Sequence, residues 1–490
     1  MEFKFRNVVL RDMGEADIED EIRWNTVETQ WAQWDAPWES LEALKSFDPA
    51  AHRRTELEQL KKPKPEIRNT LELDTEDGVH IGSVASYFVD QDFNWISKTQ
   101  PGQTRFRALG LDISESRYWG KGLGTQALTA WILYFGEHGE RELYLQTWSG
   151  NTRMIRCAMK LGFQEVCRKP GIRQVRGETW DGLTFCLNMC AFQRYLLVGN
   201  LKDLALTSTA QEAVLGAYDA RPGFYEAAAL TSYEGEGPEF PICRKRTLDR
   251  LVLWCCHMTW ARRQYEARGV SHQVILDTCS DIALRAKLYE AKTGKPGLSK
   301  DDVIWFRHIH HASIFRLGPL QFQRFEMVYL DEEGCGQAYM TFASEQKAHL
   351  PQGTPVINLH IPKDANLSPA TVADALDQAM AFFPQVFPEH RAKAFLCYSW
   401  LLYPGLQALL PKESNILQFA ARFQIIGQAR DPAESIRRIY GKRFPRKENY
   451  PQDTQLQRQA LGRFSFLGEA CGILEIPASQ APQVAQSSQT

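Results

Sequence analysis

The sequence predicts an α/β (α+β) protein, in which a mixed sheet flanked by helices is followed by a helical segment and a second α/β domain. Three observations predict this class. The chain has 490 residues, more than one hydrophobic core accommodates, so at least two domains are expected. Strand and helix patterns alternate through residues 1–192, whereas helical spacing dominates residues 211–312. The order strand, helix, strand, helix, strand in residues 355–426 repeats that of residues 104–166.

Composition excludes several classes of protein. Hydrophobic residues make up 44% and charged residues 24%, a globular balance that excludes a largely disordered chain. The 57 Lys and Arg residues nearly balance the 59 Asp and Glu residues, so charge gives no reason to expect a nucleic-acid or membrane partner. The chain shows no membrane-spanning apolar run and no signal-peptide pattern. Because its 11 cysteines form no C-x-x-C pair, we expect reduced thiols and a cytoplasmic location.

Four tryptophans follow one another closely near the start of the chain, after a short strand at 8–10 and a helical pattern that opens at residue 15. They are Trp24, Trp31, Trp34 and Trp38. Such a group either packs as a lid over a core or forms an aromatic wall for a substrate. On the second interpretation, Trp24, Trp31 and Trp34 are candidate substrate-binding residues.

The rest of the first domain, residues 1–192, alternates between strands and helices. Strands are predicted at 79–88, 104–113, 143–147, 163–167 and 183–187, and helices at 126–135 and 151–161. Residues 193–210 contain Gly199-Asn200 and a polar run at 207–209, which predict a linker.

The second half of the chain has its own pattern. A helical segment is predicted for residues 211–312 and an α/β domain for residues 313–475. That domain begins with a meander of strands at 313–317, 321–330 and 337–342. A strand at 355–361, a helix from 368 to about 383 and a strand at 394–400 follow. Residues 476–490 are rich in Gln, Ser, Ala and Pro, which predicts a disordered tail.

The most informative segment is Tyr118-Trp119-Gly120-Lys121-Gly122-Leu123-Gly124-Thr125, which lies between a strand and a helix. Alternate glycines let backbone N–H groups approach a ligand, and the helix dipole adds partial positive charge there. The segment could therefore cradle a pyrophosphate without net positive charge. It lacks the spacing of Walker and dinucleotide loops, and a tight strand-to-helix turn is the alternative interpretation.

The context of this loop resembles a known family. Leu109 to Leu128, followed about 25 residues later by Asn151-Thr152-Arg153-Met154-Ile155-Arg156 and Lys160-Leu161-Gly162-Phe163, resembles the acetyl-CoA-binding motifs of the GNAT acetyltransferase superfamily. Trp180-Asp181-Gly182-Leu183 and Leu10-Arg11 resemble the branch that acetylates ribosomal-protein N-termini. The resemblance covers roughly residues 1–190.

The resemblance implies that acetyl-CoA lies between two parallel strands that splay apart, here 107–113 and 143–147. It implies direct transfer of the acetyl group to a primary amine of a small molecule or a protein N-terminus, without a covalent enzyme intermediate. The cofactor-binding residues that it implies are Leu111, Ile113, Trp119, Gly120, Lys121, Gly122, Leu123, Gly124, Thr125 and Asn151.

The sequence identifies the general acid and the general base of the reaction less clearly than the cofactor-binding residues. Ala158 stands where many family members have a Tyr that protonates the leaving thiolate. Asp112 and Glu115 are the candidate catalytic bases, and His80 is a third candidate. Alternatively, Asp112 caps a loop, Glu115 is solvated and His80 is a structural histidine.

The second half resembles the GNAT-like C-terminal domain of acyltransferase-domain-containing proteins, over roughly residues 212–475. The phrases that carry this resemblance begin at Asn358, Cys397 and Ser414. No glycine loop follows the strand at 355–361, and the next helix begins with Ser368-Pro369, so we expect this half to bind CoA poorly or not at all. His308, His310 and His311 form the densest histidine cluster, and 308 and 311 would share a helix face, but no third ligand is nearby in sequence, so no metal is expected.

These observations lead to three hypotheses. The first is an acetyl-CoA-dependent N-acetyltransferase whose catalytic domain is residues 1–192, with acetyl-CoA and an amine acceptor as its partners. The second is a non-catalytic acyl-CoA sensor or scaffold. The third is an acyltransferase whose chemistry uses the C-terminal half. The sequence does not identify the acceptor or the oligomeric state.

Overall fold

A computed structural model describes residues 1–97, 102–235 and 237–477. The chain divides into two compact units. The first contains Met1–Ala267 and Arg285–Ile304, and the second contains Arg268–Leu284 and the described residues from Trp305 onward. Each unit contains one mixed sheet, so the predicted α/β class is confirmed.

The strands are β1 (Glu2–Phe5), β2 (Val8–Arg11), β3 (Thr70–Thr75), β4 (His80–Val89), β5 (Phe106–Ile113), β6 (Leu143–Trp148), β7 (Phe163–Val175), β8 (Glu178–Leu187), β9 (Ile314–Leu317), β10 (Leu320–Glu326), β11 (Thr341–Phe342), β12 (Pro355–His360), β13 (Ala394–Ser399), β14 (Gln424–Ala429) and β15 (Glu469–Glu475).

The α-helices are α1 (Asp17–Thr26), α2 (Pro37–Lys45), α3 (Pro49–Leu60), α4 (Leu123–Glu137), α5 (Thr152–Leu161), α6 (Met189–Asp203), α7 (Ser208–Ala220), α8 (Pro222–Thr231), α9 (Thr247–Glu266), α10 (His272–Thr293), α11 (Lys300–Trp305), α12 (Arg307–His310), α13 (Glu332–Cys335), α14 (Ser344–His349), α15 (Pro369–Val386), α16 (Asn415–Ala420), α17 (Ala433–Tyr440) and α18 (Gln455–Ala460).

The first sheet has the strand order β1-β2-β3-β4-β5-β6-β8-β7. Helix α4 packs against this sheet and buries ten of its fifteen residues, nearly all of them apolar. Trp131 at its centre is completely buried, and its indole N–H donates to the Ala85 carbonyl of β4 at 2.9 Å. Burying an aromatic side chain of this size contributes a few kcal/mol, so α4 is fixed firmly on the sheet.

The parallel pair at the centre of this sheet comes apart. Strands β5 and β6 pair only from Arg107↔Leu143 to Leu109↔Leu145. Beyond that point β5 continues beside β4 to Ile113, while β6 continues beside β8 to Trp148. The inner edges of the two strands therefore separate after Leu109. This is the splay that the GNAT resemblance implies.

The segment 193–210 differs from the predicted linker, because α6 runs through it to Asp203. Helix α6 buries Leu196, Leu197 and Leu201. The Asn200 side-chain amide donates to the Cys255 carbonyl of α9 at 2.8 Å, so α6 packs against α9. The apolar face of α6 explains the difference, since a glycine and an asparagine do not outweigh three buried leucines. The first compact unit consequently extends well beyond residue 192.

The second sheet has the order β11-β14-β15-β13-β12-β10-β9. Among its described strands one pair is parallel, β12 with β13, and it is joined at two positions, Ile357↔Phe395 and Asn358↔Leu396. The second sheet thus has the strand topology that the repeated order of elements in residues 355–426 predicts. The predicted meander is not present, because β11 pairs with β14 at the far edge instead of with β10. Strand β10 ends at Glu326, and helix α13, which Asp331 caps, separates it in the chain from β11. Residues 478–490 of the predicted tail lie outside the described residues.

All 11 cysteines are free thiols. Within the described ranges, no helix has the length and apolar character needed to cross a membrane.

Candidate active site

A cavity of about 680 Å³ opens in the first unit where β5 and β6 separate. Its walls come from both strands, the start of α4, one side of α5 and the segment before α2. Twelve residues predicted from the sequence line it: Trp31, Trp34, Leu111, Asp112, Ile113, Trp119, Gly120, Gly122, Leu123, Gly124, Thr125 and Asn151. Lys121, Glu115 and Trp24 do not line it.

The glycine loop has left-handed backbone at Gly120 (φ 75°) and Gly122 (φ 83°), a conformation that favours glycine. Gly122 is the N-cap of α4 and supplies no capping side chain. Among the described residues, the amide N–H groups of residues 120–125 donate to no protein acceptor. A Cβ at Gly120 or Gly122 would meet nothing within 4 Å. The loop therefore offers open main-chain donors and the positive end of a helix dipole, which suit an anionic ligand.

Trp119 behaves differently from the glycines. Its amide donates to the Ser116 carbonyl at 3.1 Å, and its indole N–H donates to the Ile113 carbonyl at 2.7 Å. The expectation that its main-chain amide is available to a ligand is therefore wrong. Trp119 instead contributes an aromatic wall and ties the loop to the end of β5.

Helix α5 adds positive charge to the cavity through Arg153, Arg156 and Lys160. The Arg153 guanidinium lies between two indole rings, 4.3 Å from the Trp34 centroid and 4.3 Å from the Trp119 centroid. Cation–π contacts of this kind hold the guanidinium in place. Sequence reasoning quoted Arg153 and Arg156 within a motif but did not assign them to the site.

Asn151 is buried and begins α5. Its side-chain oxygen accepts the Met154 N–H at 3.1 Å, and its side-chain amide donates to the Trp34 carbonyl at 3.1 Å. The Trp34 carbonyl also accepts the Trp148 indole N–H at 2.9 Å. Both polar groups of Asn151 are thus engaged by the protein. The segment 29–35, which we name the strap, is fixed to β6 and α5 by these bonds.

The three candidate tryptophans occupy different environments. Trp31 and Trp34 lie on the strap and line the cavity. Trp24 is 5% exposed, and its indole N–H donates to Glu115 at 2.9 Å. Trp24 is therefore part of the core, and only the other two form an aromatic wall.

Glu115 is unsuited to accept a proton near neutral pH. It is buried and forms ion pairs with Arg23 and Arg117, in addition to the hydrogen bond from Trp24. Burial alone raises a carboxyl pKa, but here the Trp24 hydrogen bond and the Arg23 guanidinium outweigh it and hold the pKa of Glu115 below its usual range.

Asp112 lies on β5 in the wall of the cavity, which Asp35 of the strap also lines. Burial, with the charge of Asp35, raises the pKa of Asp112 well above its usual value. The pKa of Asp35 is raised as well, by desolvation in the cavity wall and by the charge of Glu39, although the residue itself is exposed. Sequence reasoning missed Asp35, because nothing in a loop between two tryptophans indicates which strand it will face.

His80, the third candidate base, does not line the cavity. Its Nε2 lies 3.0 Å from Glu72, and its Nδ1 lies 3.2 Å from Asp20. Burial lowers the pKa of His80, but the hydrogen bond and charge of Glu72 raise it by more. One ligand atom each from Asp17, Asp20 and His80 lie within 4.8 Å of one another, and Asp17 also pairs with Arg11. These contacts make His80 part of a buried ionic network.

Comparisons with known proteins agree with this architecture. Residues 7–164 match the family described as the acetyltransferase (GNAT) domain, and residues 314–472 match the GNAT-like C-terminal domain. A search of proteins with curated functions found no match.

Solved structures with a similar fold include acyltransferases and a GNAT protein. An acyltransferase in complex with decanoyl-CoA and teicoplanin is 20% identical, with 57% of this chain and 88% of that chain covered and a TM-score of 0.45. An acyltransferase in complex with CoA and 10C-teicoplanin is 18% identical, with 67% and 96% covered and a TM-score of 0.45. A GNAT-family acetyltransferase from Bacillus anthracis is 14% identical, with 38% and 98% covered and a TM-score of 0.29. The two family matches show that the chain carries two GNAT-family domains, and each lies on one of the two mixed sheets.

Proposed function

We propose that the first unit, with residues 1–192 as its catalytic domain, is an acetyl-CoA-dependent N-acetyltransferase that transfers the acetyl group directly to a primary amine. One observation carries the proposal. The loop at 120–125, whose amides donate to no acceptor among the described residues, borders a cavity that lies between two splayed parallel strands. The GNAT match over residues 7–164 supports the same activity.

The residues present suit an acyl-CoA. The loop amides and the cations of α5 would hold the diphosphate, since both favour negative charge. The edge of β5 from Gly110 to Ile113, which has no strand partner on the β6 side, would bind the pantetheine amides. Trp31 and Trp34 would form the acceptor wall.

Calorimetry with acetyl-CoA and thiol release across a library of primary amines test this proposal on the full chain. The library includes small amines and peptides with free N-termini, because the resemblance to the ribosomal-protein branch makes a protein N-terminus one candidate acceptor. We expect wild-type protein to bind acetyl-CoA, and Gly122→Asp and Gly124→Asp to lose binding and turnover. Undisturbed turnover in both variants would overturn the assignment.

The free thiols also favour a cytoplasmic location.

A non-catalytic acyl-CoA sensor is the second candidate, and Ala158 favours it. This residue is completely buried and does not line the cavity, so the position that holds a catalytic Tyr in many relatives contributes no acid here. This candidate predicts acetyl-CoA binding without thiol release for any amine in the library.

Chemistry in the C-terminal half is the third candidate. It has less support, because the reactive side chains at the end of β13 are poorly suited to chemistry. Burial raises the pKa of the Cys397 thiol far above its usual value, which disfavours a nucleophilic thiolate. The Tyr398 hydroxyl is already engaged, since it donates to the Val328 carbonyl at 2.6 Å. Cutting the chain at about residue 205 would remove α9, which packs on α6, so point variants are the better test. Turnover that persists in Gly122→Asp would favour this candidate.

A further inference from the structure

The cavity is lined by residues from both faces of the first sheet, because it opens where β5 and β6 separate. Tyr87 and Asp112 share one face, since Tyr87 pairs with Ala108 and residues of a strand an even number apart point the same way. Leu111 lies on the other face, beside Gly124 of α4. We name the face that carries Tyr87 and Asp112 the distal face, because it is turned away from α4.

The hydroxyl of Tyr87 has already given its proton to the protein. It donates to the side-chain oxygen of Gln146 on the same face, at 3.2 Å. The Gln146 amide nitrogen donates to the Phe93 carbonyl at 2.9 Å and to the Thr184 hydroxyl at 3.0 Å. Because a carbonyl only accepts, the Phe93 contact fixes which end of the amide faces Tyr87. The Tyr87 oxygen is therefore left to accept a hydrogen bond from a ligand.

The other polar groups on the distal face also favour a ligand that donates. The strap covers this face, since the Trp34 carbonyl accepts the Trp148 indole N–H. The Trp31 indole N–H already donates to a main-chain carbonyl of α1 at 2.8 Å. Asp112 and Asp35 bring carboxyls, and within the described ranges neither forms an ion pair with Lys, Arg or His. A ligand here meets mainly hydrogen-bond acceptors and aromatic rings.

Positive charge in the cavity belongs to α5. The three cations that line the cavity come from that helix, and the one that reaches the strap, Arg153, is held between the Trp34 and Trp119 rings. Arg173 of β7 lies 4.2 Å from the Trp38 ring and does not line the cavity. Among the described residues, the strands of the distal face and the strap thus bring carboxyls to the cavity and no cation.

The two carboxyls differ in exposure. Asp112 is half-buried on β5, whereas Asp35 is exposed on the strap, where Glu39 adds negative charge. We propose that the distal face binds an aliphatic diamine as the acceptor, with its reacting amino group against Tyr87 and Asp112 and its second ammonium at Asp35. This proposal rests on the N-acetyltransferase function proposed above and specifies its substrate class. An amine with a carboxylate in place of the second ammonium would meet like charge and bind poorly.

The transfer to such an acceptor balances. The nitrogen of the reacting amine forms the C–N bond to the thioester carbonyl carbon, and the C–S bond breaks with its electrons on sulfur. Of the two protons that the reacting ammonium loses, one ends on the CoA thiol and the other passes to solvent. The second ammonium keeps its protons, so the product retains one positive charge.

Three amines of equal chain length test the preference on the full chain: 1,5-diaminopentane, pentylamine and 5-aminopentanoate. We expect kcat/KM, measured by thiol release from acetyl-CoA, to be at least about 10-fold higher with the diamine than with pentylamine, and lowest with 5-aminopentanoate. Equal values for the three amines, or a preference for the carboxylate, would overturn the diamine proposal and leave the N-acetyltransferase function standing.

Two variants test the two ends of the site. Asp35→Asn should lower the ratio of kcat/KM for the diamine over pentylamine to about one, because the partner of the second ammonium is lost. Asp92→Asn, which removes an exposed carboxylate outside the cavity, should keep the wild-type ratio. Tyr87→Phe should raise KM for both amines by about 10-fold with little change in kcat, as the loss of a hydrogen bond to a charged group does. A wild-type ratio in Asp35→Asn, or wild-type KM values in Tyr87→Phe, would reject this placement.

Calorimetry with the full chain separates this proposal from the proposed function. If acetyl-CoA does not bind, the proposed function fails. If acetyl-CoA binds, and the diamine binds more tightly than 5-aminopentanoate but is not acetylated, the diamine site stands and the transferase function fails. If the diamine binds no more tightly than 5-aminopentanoate, the diamine site is wrong.

Discussion

The side-chain amide of Asn151 donates to the main-chain carbonyl of Trp34 at 3.1 Å, across 117 positions of the chain. The same side chain caps α5. One residue therefore both begins the helix that lines the cavity and holds the strap that carries Asp35. The strap, in which Thr29–Gln33 form a 3₁₀ helix, depends on this bond together with the hydrogen bonds that the Trp34 and Gln33 carbonyls accept from Trp148 and Arg176.

Replacing Asn151 should affect both stability and binding. We expect Asn151→Ala to destabilise the protein by about 1–2 kcal/mol, as the loss of a helix cap does, and to weaken acetyl-CoA binding as the strap loosens. Asn188→Ala is the matched control, since Asn188 caps α6 by accepting the Ala191 N–H at 3.0 Å. Urea unfolding and calorimetry check the two effects. Equal changes in acetyl-CoA affinity for both variants would contradict the role of the Trp34 contact.

A negative charge in the glycine loop should prevent diphosphate binding. We expect Gly122→Asp to weaken acetyl-CoA binding by at least about 10-fold, because a carboxylate would occupy an anion site at a helix N-terminus. Gly177→Asp is the control, since Gly177 has almost the same φ, 80°, and also has open space around it. If both variants lost affinity to the same extent, backbone strain alone would explain the effect.

The two halves should differ in their capacity for CoA. The second sheet has a separated parallel pair, but the helix after β12 begins at Pro369, which has no N–H to offer. We therefore expect calorimetry to give one acetyl-CoA per full chain, and none for Gly122→Asp. A stoichiometry of two would place a second site in the C-terminal half.

Arg153 should contribute to ligand binding beyond its contacts with the rings. We expect Arg153→Ala to destabilise the protein by about 1 kcal/mol through two lost cation–π contacts, and to raise the dissociation constant of acetyl-CoA in a salt-dependent way, because a charge near a diphosphate is lost. Arg105→Ala is the control, since its guanidinium lies 4.3 Å from the Phe88 ring and it does not line the cavity. Loss of acetyl-CoA affinity in the control would show that ring contacts alone are responsible.

Glu21 of α1 should make stability depend on pH. Burial, together with the charge of Glu72, raises the pKa of Glu21 to about 7, although His52 at 2.9 Å opposes the increase. The folded protein thus holds this proton more tightly than the unfolded chain does. The stability that this proton contributes is complete below about pH 4 and is lost as the pH rises through 7.

We expect Glu21→Gln to be more stable than wild type by about 1–3 kcal/mol at pH 8 and to differ little at pH 4. Denaturant unfolding at both pH values checks this, with the exposed Glu58→Gln as control. A gain at pH 4 equal to that at pH 8 would reject the assignment to Glu21.

Local patterns predicted much of the architecture. The strand at 104–113, the glycine loop and the helix after it form β5 and the start of α4, because alternation, glycine and apolar periodicity act over a few residues. The segment 193–210 was the main local error. A polar run and a glycine suggested a linker, but burial of leucines against α9 decides the outcome, and that burial depends on residues more than fifty positions away.

The local sequence is sufficient to specify the chemistry of the loop, since its glycines permit a left-handed φ and the first backbone amides of a helix have no intrahelical partner. Which carboxylates line the cavity depends on long-range packing. Glu115 is buried with Arg23 and Trp24 outside the cavity, whereas Asp35 of the strap lines the same cavity as Asp112. The pKa of a carboxyl depends on burial and on charges within a few ångströms, and chain separation carries no information about either.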